Sequence, residues 1–425
     1  MTVRRVLNRW LALVALGLSM SPGGCFLLPP QLLGVSTTDT ISLGVMAPAS
    51  GTNAEKGESV YNGVLLAIEQ VNAAGGVLGK PLAMVKADDQ SDASKAPGKA
   101  ARLLGQGIVA IVGDVQSGVT KAVLLQQAKP AGCVMVSPGS TSPDFSNPAK
   151  IDTGGYFFRT VPNDSLQGKV IAQRANSLGY KKLGIINVYN TYGNGLAGVL
   201  KSTFEALPGH TTIVATYSEE PTPHPSYSQE IAPILAAQPD AIALIGYPGG
   251  GSQIVKDWIS SNQLPSVPWL FSEALKADSF VANVSNPQRL EGLTGTTPYS
   301  GGDNYNHFAN DYVARFKISP GPYAVNAYDA AVVIALAMQK GGAATRSAVK
   351  DNLRNVVGGS GTAITPGADG VKAGLTALKA GQDVAYQGAS EPLGFDSHGD
   401  VTTGIYAVWQ IKGGAIQSTS QILKP

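Results

Sequence analysis

Two short apolar runs, residues 108–112 (I-V-A-I-V) and 133–136 (C-V-M-V), constrain this chain more than any other feature. They show no alternation of polar and apolar positions, so they read as strands buried on both faces, the habit of parallel sheets. Each ends in a turn rich in Gly, Ser and Thr: G-D-V-Q-S-G-V-T after the first, S-P-G-S-T-S-P after the second. The first turn opens directly into a helical stretch, 118–127. Sheets built from such strand–helix–strand units bind ligands beyond the carboxyl ends of their strands. Ser117 then stands at a helix N-terminus, where free N–H groups and the positive end of the dipole favour an anion. Ser140 and Thr141 face it from the next strand end. No general base adjoins these hydroxyls in sequence. The two loops read as a clamp for a small anion, most plausibly a carboxylate, and not as a catalytic centre.

The same alternation runs through the chain. Strands are predicted at 40–47, 80–88 and 156–161, with helices at 58–73 and 93–104. Val60, Val64, Leu65, Ile68 and Val71 recur at helical spacing on one face of the first helix. Pro162-Asn163-Asp164 reads as a crossover. A second series follows, with strands at 182–188, 211–217, 241–247 and 269–271 separated by helices. A strong helix is predicted at 324–339 and another at 346–356. Residues 359–391 read as Gly-rich and irregular, and the end as a turn and an alternating strand. The expected architecture is α/β: two Rossmann-like lobes joined by about three crossovers, with a ligand cleft between them. The predicted partition is 39–161 plus 298–358 for lobe I and 162–297 plus 359–425 for lobe II.

The first 24 residues carry Arg4, Arg5 and Arg9 and no acid, followed by an apolar run over 10–20. That is the pattern of a secretory signal, too short for a comfortable membrane span. Pro22-Gly23-Gly24-Cys25 offers small residues before a Cys, which points to cleavage and lipidation of Cys25. Ordinary cleavage nearby is the alternative. Residues 25–38 would then form a tether. Removing three positive charges takes the net charge from +2 to −1, which leaves no electrostatic footprint for nucleic acid. Cys133, in an apolar strand, reads as an inert core residue.

Enzyme signatures are missing. G-G-V-L-G-K-P lacks Walker spacing, no G-x-S-x-G occurs, and Ser347-Ala348-Val349-Lys350 lies on a charged helix without companion motifs. His210, His224, His307 and His398 are scattered, without metal-ligand spacing. Neither cofactor nor metal is expected.

Six segments then occur in one order over nearly the whole mature chain. They are the opening strand with A-S-G, N-A-A-G-G-V-L-G-K-P-L, D-D-Q-S-D, V-S-P-G-S-T-S-P, Y-G-N-G-L-A and F-D-S-H-G-D. From about residue 39 onward the chain resembles the type I periplasmic substrate-binding proteins of ABC importers, in their branched-chain amino-acid branch. The resemblance implies two lobes closing around an amino acid, delivery to the membrane subunits of an importer, and a periplasmic, membrane-anchored location. It implies that Ser117 and the Thr141 N–H hold the ligand α-carboxylate, and that the Gly139 carbonyl, the Thr141 hydroxyl and Glu273 take the α-ammonium. Tyr192 and Tyr247 would enter the cleft from the second lobe, and Tyr323 would wall the side chain. Two departures stand out. Ser91 and Gln116 occupy the places of a disulfide found in some relatives, and Lys56 stands where an aromatic often lines the side-chain pocket. Lys56 meets either a polar or acidic ligand side chain or solvent. Glu273 has a plainer reading as a first-turn acid, and both tyrosines as edge aromatics. A sensory receptor of the same fold, for a small carboxylate, amide or other metabolite, is the alternative function.

Overall fold

Two parallel sheets with the same strand order organise the chain. A computed structural model describes residues 40–219, 222–264 and 266–425; the expectations for the signal, the tether and Cys25 lie outside them. The first sheet contains β1 (Ile41–Met46), β2 (Leu82–Ala87), β3 (Ile111–Val112), β4 (Met135–Ser137) and β5 (Phe157–Arg159), all parallel, in the order β2-β1-β3-β4-β5. The second contains β6 (Lys182–Val188), β7 (Thr211–Tyr217), β8 (Ala241–Ile245), β9 (Trp269–Phe271) and β10 (Thr294–Pro298) in the order β7-β6-β8-β9-β10. This is the first order repeated. Each sheet therefore has one switch point where the strand order reverses, between β1 and β3 and between β6 and β8. Ligand crevices form at such points.

β1 to β9 form where the sequence expects them, the central ones because their Val, Ile, Leu and Ala runs are buried on both faces, fully so in β8, while the edge strands β2 and β7 are partly exposed. Cys133 is buried beside β4, and burial pushes its thiol up to about 12, so it stays protonated as an apolar filler. The helix after β3 begins at Ser117 and runs to Val123 before widening into a π-helical turn, Leu124–Ala128.

The partition of the later chain departs from expectation. Residues 359–401 were assigned to the second half, yet they complete the first. Within them β11 (Thr362–Ile364) and β12 (Val384–Tyr386) pair in parallel, and the helix Ala368–Lys379 lies against them. Ile364, Val371, Leu375, Val384 and Tyr386 enter the same apolar cluster as β1 and the helix Ala54–Ala73. The physical reason is the helix Ala324–Gly341, which is buried on every face from Ala324 to Gln339 and needs cover on all sides. The helix Ala54–Ala73 covers one side, so closely that a Cβ on Gly63 would lie 2.1 Å from the Ala324 carbonyl oxygen. Asp329 fastens the other cover: its carboxylate accepts from the Tyr386 hydroxyl and from the N–H groups of Ala389 and Ser390. Only the last two strands return to the second sheet: β13 (Tyr406–Lys412) pairs antiparallel with β10, and β14 (Ala415–Leu423) forms the edge.

Candidate functional site

The strand ends at both switch points converge. After β1 comes the helix that carries Lys56, and after β3 come Val115 and Gln116. After β4 comes Gly139. From the second sheet, Tyr192 follows β6 on the helix Thr191–Glu205, whose first turn is capped by Asn190 accepting from the Gly193 N–H at 2.9 Å. Tyr247 follows β8 and precedes the helix Pro248–Ser261. Glu273 opens a 3-10 turn, Glu273–Leu275, after β9. Together with Ala274 and Tyr323 these residues line one small cavity of about 10 Å³, room for a single water. A larger guest enters only when the halves part or the lining side chains swing.

Six of the nine residues predicted for the site meet here: Lys56, Gly139, Tyr192, Tyr247, Glu273 and Tyr323. Ser117, Ser140 and Thr141 stand behind the wall. The Ser117 hydroxyl accepts from the Ser142 N–H at 3.2 Å. The Ser140 hydroxyl donates to the Asp114 carbonyl at 2.9 Å and pairs with Thr120 Oγ1 at 2.7 Å. The Thr141 hydroxyl donates to Asp164 Oδ2 at 2.9 Å. These hydroxyls are committed within the protein, while the Ser117 and Thr141 N–H groups find no backbone acceptor among the described residues. The loop is held from behind by Arg159, whose Nη1 donates to the Ser140 and Ser142 carbonyls at 3.0 and 2.8 Å. Its Nε donates to Asp400 at 2.7 Å in a fully buried ion pair. Burial alone would raise the Asp400 carboxyl, but the guanidinium and the hydrogen bonds from Arg159, Ser146 and Asn163 outweigh it and hold it low. This explains the F-D-S-H-G-D segment: its last acid anchors the arginine that shapes the loop.

The cavity is rich in unmet acceptors. Glu273 is 6% exposed, and its Oε2 has no hydrogen-bond partner. The same holds for Gln116 Oε1 and the Tyr192 hydroxyl. Burial pushes Glu273 above the usual carboxylate range, and burial plus the Glu273 charge does the same to Asp164. Lys56 is 3% exposed. Its ammonium donates to Asn53 Oδ1 at 3.0 Å and reaches across to the Ala274 carbonyl at 3.2 Å, lying 5.5 Å from the centre of the Tyr247 ring. Burial lowers it to about 8 against the pull of Glu273, Glu55 and Glu219. Glu219, which accepts from the Gly250 N–H and the Tyr217 hydroxyl, is raised to about 7 by burial. Tyr192 and Tyr247 stack with ring centres 5.6 Å apart.

Val115, Gln116 and Ala274 are lining residues that the sequence reading missed. Val115 and Gln116 follow β3 at a switch point and Ala274 adjoins Glu273 after β9, and these places just beyond strand ends are the signal that locates them. Among the described residues no group of three or more His, Cys, Asp or Glu could hold a metal ion.

The profile of the family described as "Periplasmic binding protein" matches residues 40–381. The chain is 30% identical over 366 residues to the chemotactic signal transduction system substrate-binding protein BasB of Halobacterium salinarum, covering 84% of this chain and 83% of BasB. It is 33% identical over 175 residues to the Leu/Ile/Val-binding protein BraC3 of Rhizobium johnstonii, a match spanning less than half of either chain: 41% of this one and 46% of BraC3. In fold it is similar to the leucine-binding protein LivK of Thermotoga maritima, with a TM-score of 0.74 at 21% identity over 91% of this chain and 99% of that one.

Proposed function

Because this chain belongs to the periplasmic binding protein family, we propose that it captures a small amino acid between its two halves and delivers it to an ABC importer. The observation that carries this reading is the acceptor-rich wall of the inner cavity. Among the described residues Glu273 Oε2, Gln116 Oε1 and the Tyr192 hydroxyl are buried without a formed hydrogen bond, with Tyr192 the donor next to Glu273, and buried polar atoms left unmet are costly. An α-ammonium brings three donors and a positive charge to that wall. The unpaired N–H groups of Ser117 and Thr141 suit the α-carboxylate once the halves part to admit it. Each half supplies part of the contact, so closure depends on the ligand. Export to the periplasm and a lipid on Cys25 complete the proposal, keeping the protein beside its transporter.

A thermal-shift panel of free amino acids tests the ligand class. A ligand at about 100 times its Kd adds about 2.7 kcal/mol to stability. Shifts with sugars or fatty acids and with no amino acid would overturn it. The similarity to BasB supports a second destination for the loaded form, a membrane chemoreceptor. Gene deletion separates the two: loss of uptake marks a transporter, and loss of taxis with uptake intact marks a receptor.

A further inference from the structure

Beside the inner cavity lies a second and much larger one, a chamber of about 600 Å³ open to solvent. Glu273 and Tyr323 belong to the walls of both. We propose that this outer chamber is a second subsite that takes an anionic group on Lys276, so that the ligand is an amino acid whose side chain ends in a carboxylate. The inference rests on the reading of the inner cavity as the head-group site.

Lys276 ends the 3-10 turn that Glu273 begins, so one turn of chain presents an acid to the inner cavity and an ammonium to the outer. The Lys276 N–H donates to the Glu273 carbonyl at 2.9 Å, but among the described residues its ammonium makes no hydrogen bond or ion pair. Its half-buried setting lowers its basicity, with no neighbouring acid opposing the effect. Three acids share the chamber: Glu55 and Asp278 are exposed, and Glu273 is buried on the wall common to both cavities. An ammonium left half-desolvated and unpaired is unfavourable, and a carboxylate seated on it relieves that. The chamber volume falls in the range of small-molecule sites. Tyr299 and Tyr305 add aromatic surface to the chamber wall, which suits a methylene chain. The divide is kept by Tyr323, whose φ of 62° places a bulky residue in the left-handed region, a conformation held only where the surroundings enforce it.

Titration calorimetry on the wild type, Lys276→Met and Lys276→Arg tests this. The probes are L-glutamate against L-glutamine and L-2-aminoadipate against L-norleucine. The wild type should prefer each acid over its neutral match by about tenfold or more. Lys276→Met should abolish that preference while leaving the neutral affinities within about twofold, and Lys276→Arg should retain it. Circular dichroism confirms that each variant is folded. Acids that bind no tighter than their neutral matches would overturn the second subsite alone, as would a preference that survives Lys276→Met. Absence of binding by every amino acid would overturn the head-group reading and this inference together.

Discussion

Glu273 and Lys56 place opposite charges in one cavity without joining in an ion pair: the lysine bonds to Asn53 and Ala274 instead. That leaves the acid free for a guest. A charge-assisted hydrogen bond contributes roughly 1.5–3 kcal/mol, so Glu273→Gln should weaken amino-acid binding about 10- to 100-fold while leaving the matching des-amino acids nearly unaffected, as calorimetry would read. Lys56 gives a pH signature. Its folded-state value of about 8 lies below the ordinary lysine value of 10.5. Between those values the unfolded chain binds the proton and the folded one does not, so stability rises with pH across that window. Lys56→Met should flatten the rise, which amounts to at most about 3 kcal/mol, in denaturation curves recorded from pH 7.5 to 10.5. The residue types of the site were legible in the sequence; the direction of the hydroxyls was not. Ser117, Ser140 and Thr141 sit in the right loops, but a hydroxyl rotates to its nearest partner, and here those partners are Ser142, Asp114 and Asp164.

At the scale of elements, Asp329 decides whether the segment after residue 359 stays docked. Asp329→Ala would leave the Ala389 and Ser390 N–H groups and the Tyr386 hydroxyl buried without an acceptor. The expected loss is about 3–5 kcal/mol, seen as a lower urea midpoint with the slope unchanged; Asp329→Asn should lose less. Strands were readable because an apolar run between glycine turns leaves few alternatives. The docked segment was not, because its glycines mask a helical pattern. Val371, Leu375 and Leu378 do recur at helical spacing, and weighing that period above the glycine content would have found the helix. Which half it covers depends on the all-round burial of the helix Ala324–Gly341, a demand visible only once its neighbours are in place.

At the scale of the whole molecule, hydrogen bonds also span the cleft away from the strands. The Ser142 hydroxyl donates to the Thr191 carbonyl at 2.8 Å, and Lys56 donates to the Ala274 carbonyl. Both exist only while the halves touch. Ser142→Ala removes one without altering the cavity lining. It should weaken ligand binding about 3- to 10-fold, mainly through faster release in stopped-flow traces, with the ligand preference unchanged. The docking of residues 359–401 bears on how the protein is born. Its N-terminal sheet cannot bury its apolar face until almost the last stretch of polypeptide has been made. Synthesis from the N-terminus therefore leaves the first half incomplete until late, although the core of the second, drawn mostly from residues 171–290, is made earlier. A first half in that condition remains threadable for most of its translation, which suits passage through a narrow export channel before it folds.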